Sequence, residues 1–117
     1  MFTIKEWQNG DELQSVCKRL HADYEEDDRA FVLVEGEPLA VGILSLYKGT
    51  KVLLKGVYGD IDERYRDLMC RSLLFFASNM NPITVRVNEV NDYYRALGFT
   101  EKEGGMEVNN KEIRFEH

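Results

Sequence analysis

The sequence predicts an α/β (mixed α+β) fold in which a central, mostly antiparallel sheet carries helices on both faces. Apolar residues recur at helical spacing in two long segments and alternate at strand spacing in several short ones. The predicted order along the chain is β-α-β-β-β-α-β-α-β-β, and such alternation is typical of a mixed sheet covered by helices. The 117 residues are enough for a single domain, residues 1–117.

The first half of the chain predicts four strands and one helix. The helix starts after the turn residues Asn9-Gly10-Asp11, and its apolar stripe runs from Leu13 to Tyr24. Gly56 lies inside the fourth strand and indicates a bulge or a close backbone contact. The strands are Phe2–Trp7, Ala30–Val34, Leu39–Tyr47 and Lys51–Tyr58, with turns at Glu35–Pro38 and Lys48–Thr50.

The second half predicts two further helices and three strands. Asp60 or Asp62 can cap a long helix whose broad apolar face includes Tyr65 and Phe76. The remaining elements are a stop at Asn79–Pro82, a strand at Ile83–Val87, a short helix at Asn91–Leu97 closed by Gly98, and strands at Phe99–Val108 and Glu112–Phe115. Asn109-Asn110 is expected to form the tight turn between these last two strands.

The composition excludes several classes of function. With 15 Lys and Arg against 21 Asp and Glu, the formal net charge is −6, which disfavours binding to nucleic acid or to an anionic membrane surface. No apolar stretch approaches the roughly 20 residues that cross a bilayer, and the charged N-terminus does not resemble a signal peptide. We therefore expect a cytoplasmic protein in which Cys17 and Cys70 are thiols.

Two segments resemble the GNAT superfamily of N-acetyltransferases. The sequence Tyr94-Arg-Ala-Leu-Gly-Phe99 is similar to the "YxxLGF" turn that this family places between its fifth and sixth strands. Asp62–Leu74 is similar to the family's pyrophosphate loop and following helix. Alignment of the paired leucines at 73 and 74 puts the family motif [Q/R]-x-x-G-x-[G/A] on Tyr65–Cys70.

The resemblance implies an acyltransferase that moves an acetyl group from acetyl-CoA to a primary amine on a small molecule or peptide. Tyr94 matches the family tyrosine that protonates the departing thiolate. Backbone groups around Gly56–Tyr58, including Val57, would receive the pantetheine arm and the thioester carbonyl where the fourth and fifth strands separate. Asn88 or Asn91 could also bond the cofactor arm. The motif segment would bind the cofactor through Arg64, Tyr65, Arg66, Leu68, Met69, Cys70 and Arg71. No metal is implied.

Other interpretations stay open at this point. Asn91 can instead cap its helix, and the general base can be Glu89, Tyr58 or water. Leu68 replaces the loop glycine among acidic neighbours, which is also compatible with a catalytically inactive GNAT-like binding or interaction module. Only one helix is readable between the first two strands, so the acceptor site is expected to be open or completed by a second chain in a homodimer. An unrelated small α+β fold is a further alternative.

Overall fold

The computed structural model describes residues 1–47, 50–81 and 83–115, apart from the side chain of Tyr47. Its elements are β1 (Thr3–Trp7), α1 (Asp11–Arg19), β2 (Arg29–Glu35), β3 (Glu37–Tyr47), β4 (Lys51–Tyr58), α2 (Glu63–Ser78), β5 (Thr84–Val87), α3 (Asp92–Ala96), β6 (Thr100–Lys102), β7 (Gly105–Asn109) and a 3₁₀ turn (Asn110–Glu112). This confirms the predicted order of helices and strands. The predicted turn at Lys48–Thr50 and the stop at Pro82 lie partly outside the described residues.

The strands form one sheet with the order β1-β2-β3-β4-β5-β7-β6. Strands β4 and β5 pair in parallel, and the other described neighbours pair antiparallel. The sheet is therefore mixed and mostly antiparallel, as the sequence predicts. None of the helices in the described stretches has both the length and the apolar character needed to cross a bilayer.

Alternate residues of β2 point to opposite faces of the sheet, and each face is covered by a helix. Ala30 and Val32 join the buried cluster of α1, whereas Phe31 and Leu33 lie on the face covered by α2. Helix α2 packs closely against β3 where Leu73 of the helix meets Gly42 of the strand. A Cβ atom at Gly42 would lie only 2.5 Å from Leu73 Cδ1. The predicted placement of helices on both faces is confirmed.

Helix α1 is shorter than its apolar pattern predicts. It ends at Arg19, and the chain turns away at His21, which has a φ of +57°. Leu20 and Tyr24 nevertheless pack against the same buried cluster from the following loop. The helical spacing thus extends beyond the helix because the loop covers the same face of the sheet.

The predicted turn at Asn109-Asn110 is wrong, and so is the predicted strand Glu112–Phe115. The terminal hairpin turns at Glu103-Gly104, both with positive φ, within the stretch expected to be one strand. Asn110 is 1% exposed, and its side chain accepts from Ile83 N–H and donates to the Ala77 carbonyl. Asn110 is therefore a buried tie between elements rather than a turn residue.

Candidate functional site

Strands β4 and β5 separate and leave an opening in the sheet. Their pairing ends at Leu53 and Arg86, whereas β4 continues to Tyr58 alongside β3. The β3–β4 register shifts so that Lys55 is the extra residue, directly before Gly56. The bulge predicted at Gly56 is thus present one residue earlier, at the point where the strands have parted.

A cleft of about 570 Å³ occupies this opening. Its walls are β4, the first half of α2 and the segment from the end of β5 into α3. The lining residues are Gly56, Val57, Glu63, Arg66, Asp67, Cys70, Glu89, Asn91, Tyr93 and Tyr94. The cleft therefore combines a small apolar strand segment with two tyrosines, one thiol and several charged groups.

Tyr94 is held in the cleft wall by its short helix. Asn91 Oδ1 accepts a 3.0 Å hydrogen bond from Tyr94 N–H, so Asn91 caps α3 as one interpretation of the sequence suggests. Gly98, with φ +102°, ends the helix in the predicted left-handed conformation. The Tyr94 ring packs against Tyr93 and Phe99 with centroid distances of 5.2 Å in both cases. The backbone of Tyr94 is thus held by the helix cap, and its ring is held by contacts with Tyr93 and Phe99.

The Tyr94 hydroxyl and the Cys70 thiol both line the cleft, and each influences the pKa of the other. Burial raises the pKa of the Cys70 thiol to about 11. Burial also raises the pKa of Tyr94 far above its usual value, and the negative charges of ionised Cys70 and of Glu89 add to this effect. Both groups therefore carry their protons at neutral pH, and Tyr94 can act as a proton donor.

A second polar network joins α2 to α3. The Tyr93 hydroxyl donates a 2.5 Å hydrogen bond to Asp67 Oδ1, which also accepts from Arg71 Nε at 3.0 Å. Arg71 Nη1 donates in turn to the carbonyl of Phe115. The pKa of Tyr93 is raised, chiefly by burial and then by its bond to Asp67. This network fixes the position of α3 and hence of Tyr94.

Asp67 and Tyr93 were not predicted as site residues. The pairing of Asp67 with Arg71 could be read from their i, i+4 spacing in a helix. The contact between Asp67 and Tyr93 spans 26 residues and has no local signal. Glu63 also lines the cleft and is not among the predicted site residues, whereas Gly56, expected to face the pantetheine arm, and Glu89, a candidate base, are part of the lining.

The segment aligned with the family loop is helical in this chain. Helix α2 starts at Glu63, so Tyr65–Cys70 lie within its first two turns, as the apolar pattern predicts. The alignment with the family motif therefore falls on helical residues and not on a loop. The rings of Tyr65 and Phe2 are in tilted contact, with their centroids 5.3 Å apart. Met69 is fully buried and belongs to the same buried cluster as Leu33. Tyr65, Leu68 and Met69 are thus outside the cleft lining, while Cys70 is inside it.

The other predicted cofactor ligands are spread over several places. Arg66 lines the cleft and bonds backbone carbonyls, Arg64 is exposed, and the Tyr58 side chain packs on the α1 side of the sheet. Asn88 accepts from Arg86 Nε at 2.9 Å, outside the lining, and Arg71 also lies outside it. In the described part of the chain, no group of three His, Cys, Asp or Glu side chains could hold a metal ion.

No family model and no curated protein sequence matches this chain. Three solved structures are similar to nearly its whole length. YhhK of E. coli, an inferred N-acetyltransferase solved in solution bound to coenzyme A, has a TM-score of 0.62 at 18% identity and covers 93% of this chain and 98% of its own. An inferred acetyltransferase from Exiguobacterium sp. 255-15 has a TM-score of 0.67 at 13% identity, covering 96% and 95%.

The third structure is a tyrosine-to-phenylalanine mutant of the AtaT toxin, bound to the C-terminus of its antitoxin AtaR and to acetyl-CoA. Its TM-score is 0.58 at 14% identity, and the match covers 95% of this chain and 94% of AtaT. At identities this low, the TM-scores show a common architecture and nothing further about function. The chain therefore has the fold of the GNAT N-acetyltransferases.

Proposed function

We propose that this protein is an acetyl-CoA-dependent N-acetyltransferase acting on a primary amine of a small molecule or a peptide. The observation that carries the proposal is the separation of β4 from β5, with Tyr94 in the wall of the resulting cleft. The solved relatives YhhK and AtaT bind coenzyme A and acetyl-CoA, which supports the choice of acyl donor. We also propose that residues 1–117 form a single domain.

Acetyl-CoA, when bound, supplies a thioester carbonyl that an amine can attack and a thiolate that must leave. Tyr94 is proposed to donate its hydroxyl proton to that sulfur. A phenol with a strongly raised pKa is a weak acid in water. However, burial that raises the pKa of the adjacent Cys70 to about 11 would also raise that of a second thiol in the cleft, which reduces the difference in pKa between Tyr94 and the leaving thiol.

The remaining lining residues have proposed roles in binding and orientation. Gly56 and Val57 offer a narrow apolar surface to the pantetheine arm, and ring contacts with Tyr93 and Phe99 keep Tyr94 in place. Glu89 lies on the wall and accepts a 2.9 Å bond from Asn91 Nδ2. Its carboxylate can attract the ammonium group of an acceptor and take up its proton.

Substitution of Tyr94 tests the proposal directly. We expect Tyr94→Phe to lower kcat by about a hundredfold while leaving the KM for acetyl-CoA unchanged, because only proton donation is removed. Thiol release is followed across a panel of amines, with Tyr24→Phe as the matched control, since that side chain packs against the buried cluster of α1 and is outside the cleft lining. Equal rates for Tyr94→Phe and the parent protein would contradict the proposed acid role.

The second candidate is a catalytically inactive interaction module with the same fold. It is favoured by Arg66, whose guanidinium group occupies the carbonyls of Val57 and Gly59 at the end of β4. AtaT is solved with a bound peptide of its partner, so related folds also serve in protein recognition. Calorimetric titration distinguishes the two candidates, because a module of this kind would not bind acetyl-CoA at about millimolar concentration.

A further inference from the structure

The connection between β4 and α2, residues 59–62, lies where an acyl-CoA diphosphate would meet a helix N-terminus. Its one glycine is already required by the fold. Gly59 has a φ of +141°, and a Cβ atom there would lie 2.4 Å from the Leu39 carbonyl oxygen and 2.9 Å from Ala40 Cα. The absence of a side chain at Gly59 thus permits close packing against β3, and the side of Gly59 that a Cβ atom would occupy faces β3 and not a ligand.

The N-terminus of α2 is capped by the chain's own carboxylate. Asp62 Oδ1 accepts the Tyr65 N–H at 3.0 Å, and the Asp62 carbonyl accepts the Arg66 N–H at 3.0 Å. The carboxylate therefore occupies the position, and supplies the negative charge, that an anionic ligand would bring to this helix end. A diphosphate would have to displace Asp62 and meet its charge.

The two arginines of this region already have partners: Arg66 bonds backbone carbonyls, and the charge of Arg64 is offset by Asp62. Arg66 Nη1 donates to the Val57 carbonyl at 2.6 Å, and its Nη2 donates to the Gly59 carbonyl at 2.7 Å. Arg64 is 94% exposed and lies 3.9 Å from Asp62. Residues 59–67 carry four carboxylates, of Asp60, Asp62, Glu63 and Asp67, against these two guanidinium groups. Phosphates at this end of the cleft would therefore be repelled.

The inner part of the cleft has a different character. Gly56, Val57, Cys70 and Tyr94 present small apolar surfaces and groups that are neutral at pH 7. We infer that the cleft binds its acyl donor through the thioester and the pantetheine arm alone, with no diphosphate subsite in the described β4–α2 connection. This inference rests on the proposed function and narrows the donor to the class of pantetheine thioesters, with or without a nucleotide.

Binding and turnover measurements test this inference together. Calorimetry in about 0.15 M salt compares pantetheine, coenzyme A and the nucleotide half of coenzyme A, 3′-phospho-ADP. We expect pantetheine and coenzyme A to bind within about threefold of each other, and the nucleotide not to bind at about 5 mM. S-acetylpantetheine should then support kcat/KM within about threefold of acetyl-CoA.

Arg66→Gln and Arg64→Gln show whether either arginine moves to a phosphate on binding. Each variant should change the affinities for coenzyme A and pantetheine by the same factor. A preference for coenzyme A over pantetheine of about tenfold or more would overturn the inference while leaving the proposed function intact. Loss of that preference in Arg66→Gln would identify the missing phosphate ligand. Absence of binding by all three compounds would overturn both.

Discussion

At the residue scale, the two cysteines differ in what surrounds them although both are buried thiols. Cys17 belongs to the apolar cluster under α1, whereas Cys70 lines the cleft together with Tyr94. The role proposed for Tyr94 comes from a six-residue motif, but its proximity to Cys70 has no signal in the sequence. The two lie on different helices, and only the packing of α3 against α2 brings them together.

The raised pKa of Cys70 makes stability depend on pH. Because the folded state disfavours the thiolate, this group contributes its full stability below about pH 9 and loses it as the pH approaches about 11. We expect the free energy of unfolding to fall across that interval. Cys70→Ser should remove up to about 2 kcal/mol of the fall, since serine does not ionise there.

Denaturant titrations at several pH values provide the measurement. Cys17→Ser provides the comparison with loss of a buried thiol outside the cleft. Because burial also raises the pKa of Cys17, this variant should remove its own separate part of the fall. A pH dependence in Cys70→Ser equal to that of the parent protein would show that the thiol of Cys70 is not the titrating group.

Lys55 and Asp28 form an ion pair that links the loop before β2 to the bulge in β4. Lys55 Nζ lies 2.7 Å from Asp28 Oδ2, and the two side chains are 10% and 3% exposed. Lys55→Met would leave a buried carboxylate without its cation, and we expect it to cost about 3 kcal/mol of unfolding free energy. Adding Asp28→Asn should restore part of the loss, which chemical denaturation measures. A double variant less stable than Lys55→Met would contradict this account.

At the scale of elements, the sequence allowed prediction of type and order better than of ends. Amphipathic spacing identifies α2, and alternation of apolar residues identifies β5. Both patterns are readable because many residues along each element bury their side chains against the same core. The end of α1 and the turn of the last hairpin depend on single residues, His21 and Glu103, in positive φ. The sequence does carry weak signals at both places, since histidine is enriched at positive φ and Gly104-Gly105 is a turn pair. The apolar residues that continue past both points hid these signals.

The choice of cap for α2 was left open by the sequence and is decided by the structure in favour of Asp62. Asp62→Ala should lower stability by about 1 kcal/mol, because Tyr65 N–H loses its acceptor. The matched control is Asp60→Ala, an exposed neighbour of the same charge, which should change stability by less than about 0.5 kcal/mol. Equal effects of the two changes, seen in thermal or denaturant unfolding, would argue against the cap.

At the scale of the whole molecule, the net charge is −6, and the cleft lining has more carboxylates than guanidinium groups. Both charges are negative, like that of the phosphate groups of coenzyme A. If the chain is an acetyltransferase, its KM for acetyl-CoA should fall a few-fold as salt rises from about 0.02 M to about 0.3 M, because repulsion is screened. The KM for S-acetylpantetheine, which lacks phosphate, should stay constant. A KM for acetyl-CoA that rises with salt would instead indicate a favourable phosphate contact.

The buried amide of Asn110 has a further consequence for how the molecule is made. It completes hydrogen bonds with Ala77 and Ile83, which precede it by 33 and 27 residues. A nascent chain leaves the ribosome N-terminus first, so water must bond these backbone groups at the junction of α2 with β5 until Asn110 has emerged. The junction therefore closes only after both of the elements that it joins have been made.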